Sequence, residues 1–177
     1  MTLAELFVHE LDLEAPYTRR CLERAPEDRF EWKPSEKAMP LGWLATFSAV
    51  LWTWGTDCVE KDEFDFAALP PEARTRKPVS SRAELLALYD RNVAAARAAI
   101  AKTSDARFAS SWTLRFGERV VFSAPRWQVL RHYVFNHAVH HRGQLTVFLK
   151  QLGVAVPAIY NDSGDEHGGL FIDAPPA

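Results

Sequence analysis

Cysteine is scarce: Cys21 and Cys58 are the only two in 177 residues. They are far apart, sit in helical patterns and form no CxxC. Two buried free thiols are therefore expected rather than a disulfide. An excess of either charge is also missing, with 21 basic against 23 acidic side chains and a formal net charge of -2. Without a basic stripe the chain has no electrostatic footprint for nucleic acid. No apolar run approaches the ~20 residues of a membrane span. The opening stretch MTLAELFVHELDLEAP carries acids and no basic segment, unlike a secretory signal. A cytoplasmic protein with neither a nucleic-acid nor a membrane partner is expected. Internal repeats and low-complexity blocks are absent too, and the length fits a single domain over 1–177.

What is present reads as helices. Residues 2–25 carry an apolar pattern through Leu3, Phe7, Leu11, Tyr17 and Leu22, with Thr2 as N-cap and Pro16 kinking the middle. A charged, proline-containing loop follows, from which Phe30 and Trp32 tuck onto the body. Pro40 opens a second helix, PLGWLATFSAVLWTWGTDCVEK, apolar almost all round. Leu41, Leu44, Phe47, Ser48, Leu51 and Cys58 make its inner face, and Trp43, Trp52 and Trp54 spill onto others. That surplus of tryptophan points to a covering second subunit, hence a homodimer. Residues 62–80 read as a surface connection. Ser81-Arg82-Ala83-Glu84 has the form of a capping box and starts a third helix that runs to about Lys102. Trp112 to Phe122, turning at Gly117-Glu118, predicts a short β-hairpin between helices three and four. Pro125 opens the fourth helix, which a glycine stops at Gly153. The remaining tail is rich in Pro and Gly, with Ile159, Tyr160, Leu170 and Phe171 as anchors. Four long helices predict an all-α, antiparallel four-helix bundle.

The last helix carries the chemistry. Its apolar stripe runs through Leu130, Val134, Leu145, Phe148 and Leu152, and His137 and His141 fill the two gaps. Residues four apart lie one turn above each other, so two stacked imidazoles face the core. Neutral imidazoles bind Zn, Ni, Cu or Fe(II), and bundles complete such sites from facing helices. A core histidine is equally well satisfied by a hydroxyl, a carbonyl or water, so from spacing alone the two roles balance. His140, beside Tyr133 and Gln144, flanks the pair, and His132 belongs to another face.

The stretch NHAVHHRGQLTVFLKQLGVAVPAIY resembles the C-terminal signature of the DinB/YfiT-like proteins. Their H-x-x-x-H-R-G-Q-L pattern is met at His137, His141, Arg142, Gly143, Gln144 and Leu145. Trp32-Lys33-Pro34 and Leu41-Gly42-x-Leu44-Ala45 extend the likeness to most of the chain. The resemblance implies a four-helix bundle, often dimeric, holding a divalent metal by three histidines. Characterised relatives include thiol S-transferases using bacillithiol and isomerases dependent on mycothiol or glutathione. There the metal lowers the pKa of a low-molecular-weight thiol.

One departure outweighs the matches. The family's first histidine lies in helix two, in a Leu-Gly-x-Leu-Ala-x-His context, and here that position is Phe47. None of the six histidines, at 9, 132, 137, 140, 141 and 167, lies in helix two. Replacement ligands are His9, or Asp165, Glu166 or His167 folding back from the tail. The favoured expectation is a degenerate two-histidine site, with weak or no binding of Zn or Ni, beside a pocket for a small molecule. Tyr133, His140, Arg142, Gln144 and Glu166 are its candidate flanking residues. The alternative is an active divalent-metal-dependent thiol S-transferase built on His137, His141 and a replacement third ligand.

Overall fold

The computed structural model describes residues 1–71 and 77–168. Residues 72–76 of the predicted connection, and the tail positions Leu170 and Phe171, lie outside the described residues. The chain is mainly helical with a small three-stranded sheet. Helix α1 spans Leu3–Glu23, opened by a complete capping box in which the Thr2 hydroxyl accepts from Glu5 N and the Glu5 carboxylate accepts from Thr2 N. Pro16 lies inside this one helix. Helices α2 (Leu41–Val50) and α3 (Trp52–Glu60) follow. They correspond to the single predicted helix, divided at Leu51, where the Trp54 amide reaches back only three residues to the Leu51 carbonyl.

Helix α4 covers Arg82–Ala101 and a short α5 covers Asp105–Ala109. Ser81 caps α4 as predicted, but the box is only half made. The Glu84 carboxylate accepts from the Ser80 amide and hydroxyl instead of from Ser81 N. Helix α4 packs on α1, α2 and α3.

The predicted hairpin is present as β2 (Ser111–Phe116) and β3 (Arg119–Pro125), turning at Gly117 with φ +59°. The sheet is larger than a hairpin, because β1 (Glu63–Asp65), inside the predicted connection, pairs parallel with β2. Asp65 explains the docking: its Oδ1 accepts from both Ala67 N (2.8 Å) and Gly117 N (2.9 Å). Fully buried Arg126 fastens the other end, donating to Ser110 Oγ and the Ser111 carbonyl at 2.6 Å and to the Lys61 carbonyl at 3.0 Å. Sequence periodicity gave no hint of this arginine.

The final helix is one rod in three parts: α6 (Arg126–Val129), a π-helical turn (Leu130–Phe135) and α7 (Asn136–Gln151). In the wide turn the Asn136 amide reaches back five residues, to the Arg131 carbonyl. Buried positions keep step, Val129 with Val134 and Leu130 with Phe135, both five apart. Gly153 (φ +70°) ends α7 as predicted, with Val154 N bonded to the Leu149 carbonyl. Helix α7 packs on α1 and α2, which brings its histidines against Phe47. Among the described residues no helix is long and apolar enough to cross a membrane.

The core corrects one expectation. Trp52 does not spill outward; it is fully buried, its ring 5.4 Å from that of Phe135. Phe30 is buried and Trp32 packs edge-on to Phe148, as expected of the loop. Gly42 makes the close approach possible, since a Cβ there would sit 2.8 Å from Phe30 Cβ while its amide bonds the Phe30 carbonyl. Gly42→Ala is expected to cost about 1–3 kcal/mol through overpacking, read as a lower urea midpoint. Both cysteines are free and buried, and burial raises the thiols to about 11 for Cys21 and about 12 for Cys58.

Candidate metal centre

His137 and His141 face each other, Nε2 to Nε2 at 2.8 Å. His141 is buried and His137 half-buried. At its other nitrogen, His141 Nδ1 lies 2.8 Å from Gln144 Oε1. The Tyr133 backbone lies one turn below His137 and acts on its ring, opposing the effect of burial. The Gln144 contact holds Nδ1 of His141, and its Nε2 turns toward His137.

Desolvation dominates the electrostatics. It lowers the pKa of His137 and takes that of His141 down to about 4, with the Gln144 hydrogen bond opposing. Both rings are therefore neutral at pH 7, the form that donates a lone pair. The sign of the pH effect follows. Below about 6.5 the unfolded chain protonates His141 and the folded chain does not. The stabilisation is complete above that pH and is lost as pH falls toward 4. His137 adds in the same direction, while exposed His167, raised by Asp162, acts oppositely above 6.5. Urea midpoints are expected to fall between about pH 7 and about pH 4.5, with a shallower slope in His141→Gln.

The wall opposite is aromatic. The Phe47 ring centre lies 4.9 Å from that of His141 and 5.5 Å from that of His137. Trp43 stacks on Phe47 at 5.1 Å, and Trp54 stands 6.3 Å from both Phe47 and His137. The sequence places Trp43 and Trp54 on faces away from Phe47, and the structure brings both rings against it. Their offsets of four and seven residues are those of one helical stripe, a signal present in the sequence.

The flanking residues divide. Gln144 touches the pair, and His140 is exposed with its ring 5.1 Å from that of His141. The exposed ring of Tyr133 stacks on Phe122 at 4.5 Å, and its backbone serves His137. It also lines a small apolar cavity with Trp54, Phe64, Trp112 and Leu114. Arg142 goes elsewhere: buried, it pairs with Glu14 at 2.6 Å and bonds the Tyr160 hydroxyl, tying α7 to α1 and the tail. Glu166 also serves the tail, accepting from Arg20, Arg24 and Ala158 N.

The fit to a three-histidine metal centre fails at its third member. Two nitrogens converge, but the third position presents a phenyl ring, which offers no ligand. The replacements do not supply one. His9 is exposed, Asp165 is paired with Lys150 and the Val156 amide, and His167 is paired with Asp162. Among the described residues no group of three or more His, Cys, Asp or Glu is placed to hold an ion.

The sequence matches the DinB family over residues 1–167. It is 40% identical over 43 residues to the uncharacterised protein YrdA of Bacillus subtilis strain 168, which is 24% of this chain and 26% of YrdA. The chain thus spans about a quarter of that curated relative's length. The fold resembles a DinB-like protein of Bacillus cereus ATCC 10987 (TM-score 0.66, 21% identity, 88% of this chain and 97% of that one). It also resembles the DinB-like protein YjoA of Bacillus subtilis (TM-score 0.62, 15% identity, 82% and 90%). With the match running from the first residue through the histidine helix and into the tail, the chain belongs to the DinB family.

Proposed function

We propose that this chain is a DinB protein with a degenerate two-histidine site, holding a divalent cation such as Zn or Ni weakly or not at all. The observation that carries the reading is the Phe47 ring, 4.9 Å and 5.5 Å from the two imidazoles. Catalytic zinc uses about three protein ligands and an open position, and two imidazoles alone exchange the ion. The reading includes an antiparallel four-helix arrangement of α1, α2–α3, α4 and α6–α7. It also includes a cytoplasmic homodimer and a small-molecule pocket of unknown specificity beside the two histidines. A thiol S-transferase built on a replacement ligand has less support, since the candidate ligands are exposed or tied elsewhere.

The test is metal content. Protein purified without a histidine tag at neutral pH is expected to carry well under one equivalent of zinc or nickel. A full equivalent that survives dialysis against a chelator would contradict the proposal.

A further inference from the structure

We propose that the cavity between α3, the small sheet and the π-helical turn binds a small alkyl amine, whose chain fills the cavity and whose ammonium pairs with Asp57. The inference does not rest on the two-histidine reading, since neither His137 nor His141 is on the cavity wall.

The wall is aromatic and aliphatic almost throughout. Trp54 comes from α3, Trp112 and Leu114 from β2, Phe122 from β3 and Tyr133 from the π-helical turn. The space thus opens where two helices depart from regular geometry, for Trp54 follows the division at Leu51 and Tyr133 sits in the wide turn. Wide turns of this kind recur at functional sites. Packed domains keep few voids larger than a water. This one measures about 20 Å³, against about 10–15 Å³ for one water. With so few polar atoms around it, an apolar group fits better than water. Tyr133 is the one exposed residue on the wall, and its ring rests on Phe122 at 4.5 Å. Turning that ring aside widens the cavity for a short alkyl chain.

Charge enters at one point. Asp57 is the one charged residue on the wall. Its side chain is 19% exposed, and its partner Lys61, one turn further on at 2.7 Å, is 57% exposed. A pair with so exposed a lysine is held loosely, so the ammonium of a ligand can replace it. One charge on an otherwise apolar wall is enough to fix the orientation of a small molecule. A carboxylate there attracts a cation and repels an anion. The competing polar groups are the indole N–H groups of Trp54 and Trp112, both buried and without an acceptor among the described residues. They would favour a neutral acceptor such as an alcohol.

The experiment is a titration of the full, untagged chain at neutral pH with n-butylamine, n-butanol and butyrate. It follows the indole N–H signals of Trp54 and Trp112 by NMR. Butylamine is expected to shift both signals and to saturate at about millimolar concentration, the affinity open to so few heavy atoms. Butanol is expected to bind about 10-fold more weakly, the factor for losing a hydrogen bond to a charged group, and butyrate not at all. Asp57→Asn is expected to bring butylamine down to the level of butanol. Leu114→Phe, which fills the cavity, is expected to abolish both. Any of four results overturns the proposal: no saturable shift with butylamine, butanol binding as tightly as butylamine, full butylamine affinity in Asp57→Asn, or full affinity in Leu114→Phe. If Leu114→Phe does not fold, the comparison of wild type with Asp57→Asn decides.

Discussion

Phe47→His is expected to raise affinity for zinc by about 100-fold or more, since outer-shell partners alone are worth about 10–100-fold and a direct ligand exceeds them. Geometry supports a gain of that size. Three imidazoles sharing one ion at about 2.1 Å have ring centres about 4.5–5.2 Å apart. In this chain the His137–His141 centres are 4.5 Å apart, and Phe47 lies 4.9 Å and 5.5 Å from them. The phenyl ring thus lies close to the seat of a third imidazole, inside the expected range from His141 and just beyond it from His137. Calorimetric titration of wild type and variant with zinc, side by side, gives the measurement. Affinity rising less than about 10-fold, below the range even for an outer-shell partner, would mean that the pocket has closed for some other reason. Trp43, stacked on Phe47, would be the first residue to suspect.

Arg142→Met is expected to cost about 3–5 kcal/mol of stability, the range for breaking a buried ion pair by removing one partner. The Arg142 side chain is 2% exposed and that of Glu14 15%. Removing the guanidinium leaves a nearly buried carboxylate on α1 without its cation. It also removes donors to the Glu14 carbonyl and the Tyr160 hydroxyl. Denaturant unfolding reads the loss. The double variant Arg142→Met/Glu14→Leu is expected to recover much of it, because no charge is then stranded. A loss under about 1 kcal/mol would place the pair among solvent-screened ones. In either variant the imidazole signals of His137 and His141 should keep their wild-type positions, which separates the arginine of the motif from the histidines beside it.

Local chemistry made much of the fold legible. Thr2, Ser81, Pro40, Pro125 and Gly153 marked the helix ends because caps, prolines and αL glycines act within one turn of the chain. The alternation Trp112, Leu114, Phe116 marked a strand for the same reason. What escaped reading was set by distant partners. The parallel strand Glu63–Asp65 forms because Asp65 finds the Gly117 amide 52 residues on, and no local pattern encodes that meeting. The π-helical turn carries neither Pro nor Gly, and its five-residue step between buried pairs emerges only once burial is known.

The candidate site divides the same way. Spacing alone brought His137 and His141 together, and the resemblance to the DinB proteins pointed to Phe47 across from them. The destination of Arg142, against Glu14 of α1 and Tyr160 of the tail, is not encoded in the motif that contains it. Neighbours in an HRG run share a backbone, but successive residues on a helix point about 100° apart. His141 therefore faces α2 while Arg142 faces α1.

The most direct measurement is a crystal structure of the untagged protein grown with excess zinc, with anomalous scattering to locate the metal. The account predicts the Phe47 ring against both imidazoles and at most a partly occupied zinc bound by His137 and His141 alone. A fully occupied zinc with a third protein ligand, or Phe47 turned away from the pair, would contradict it.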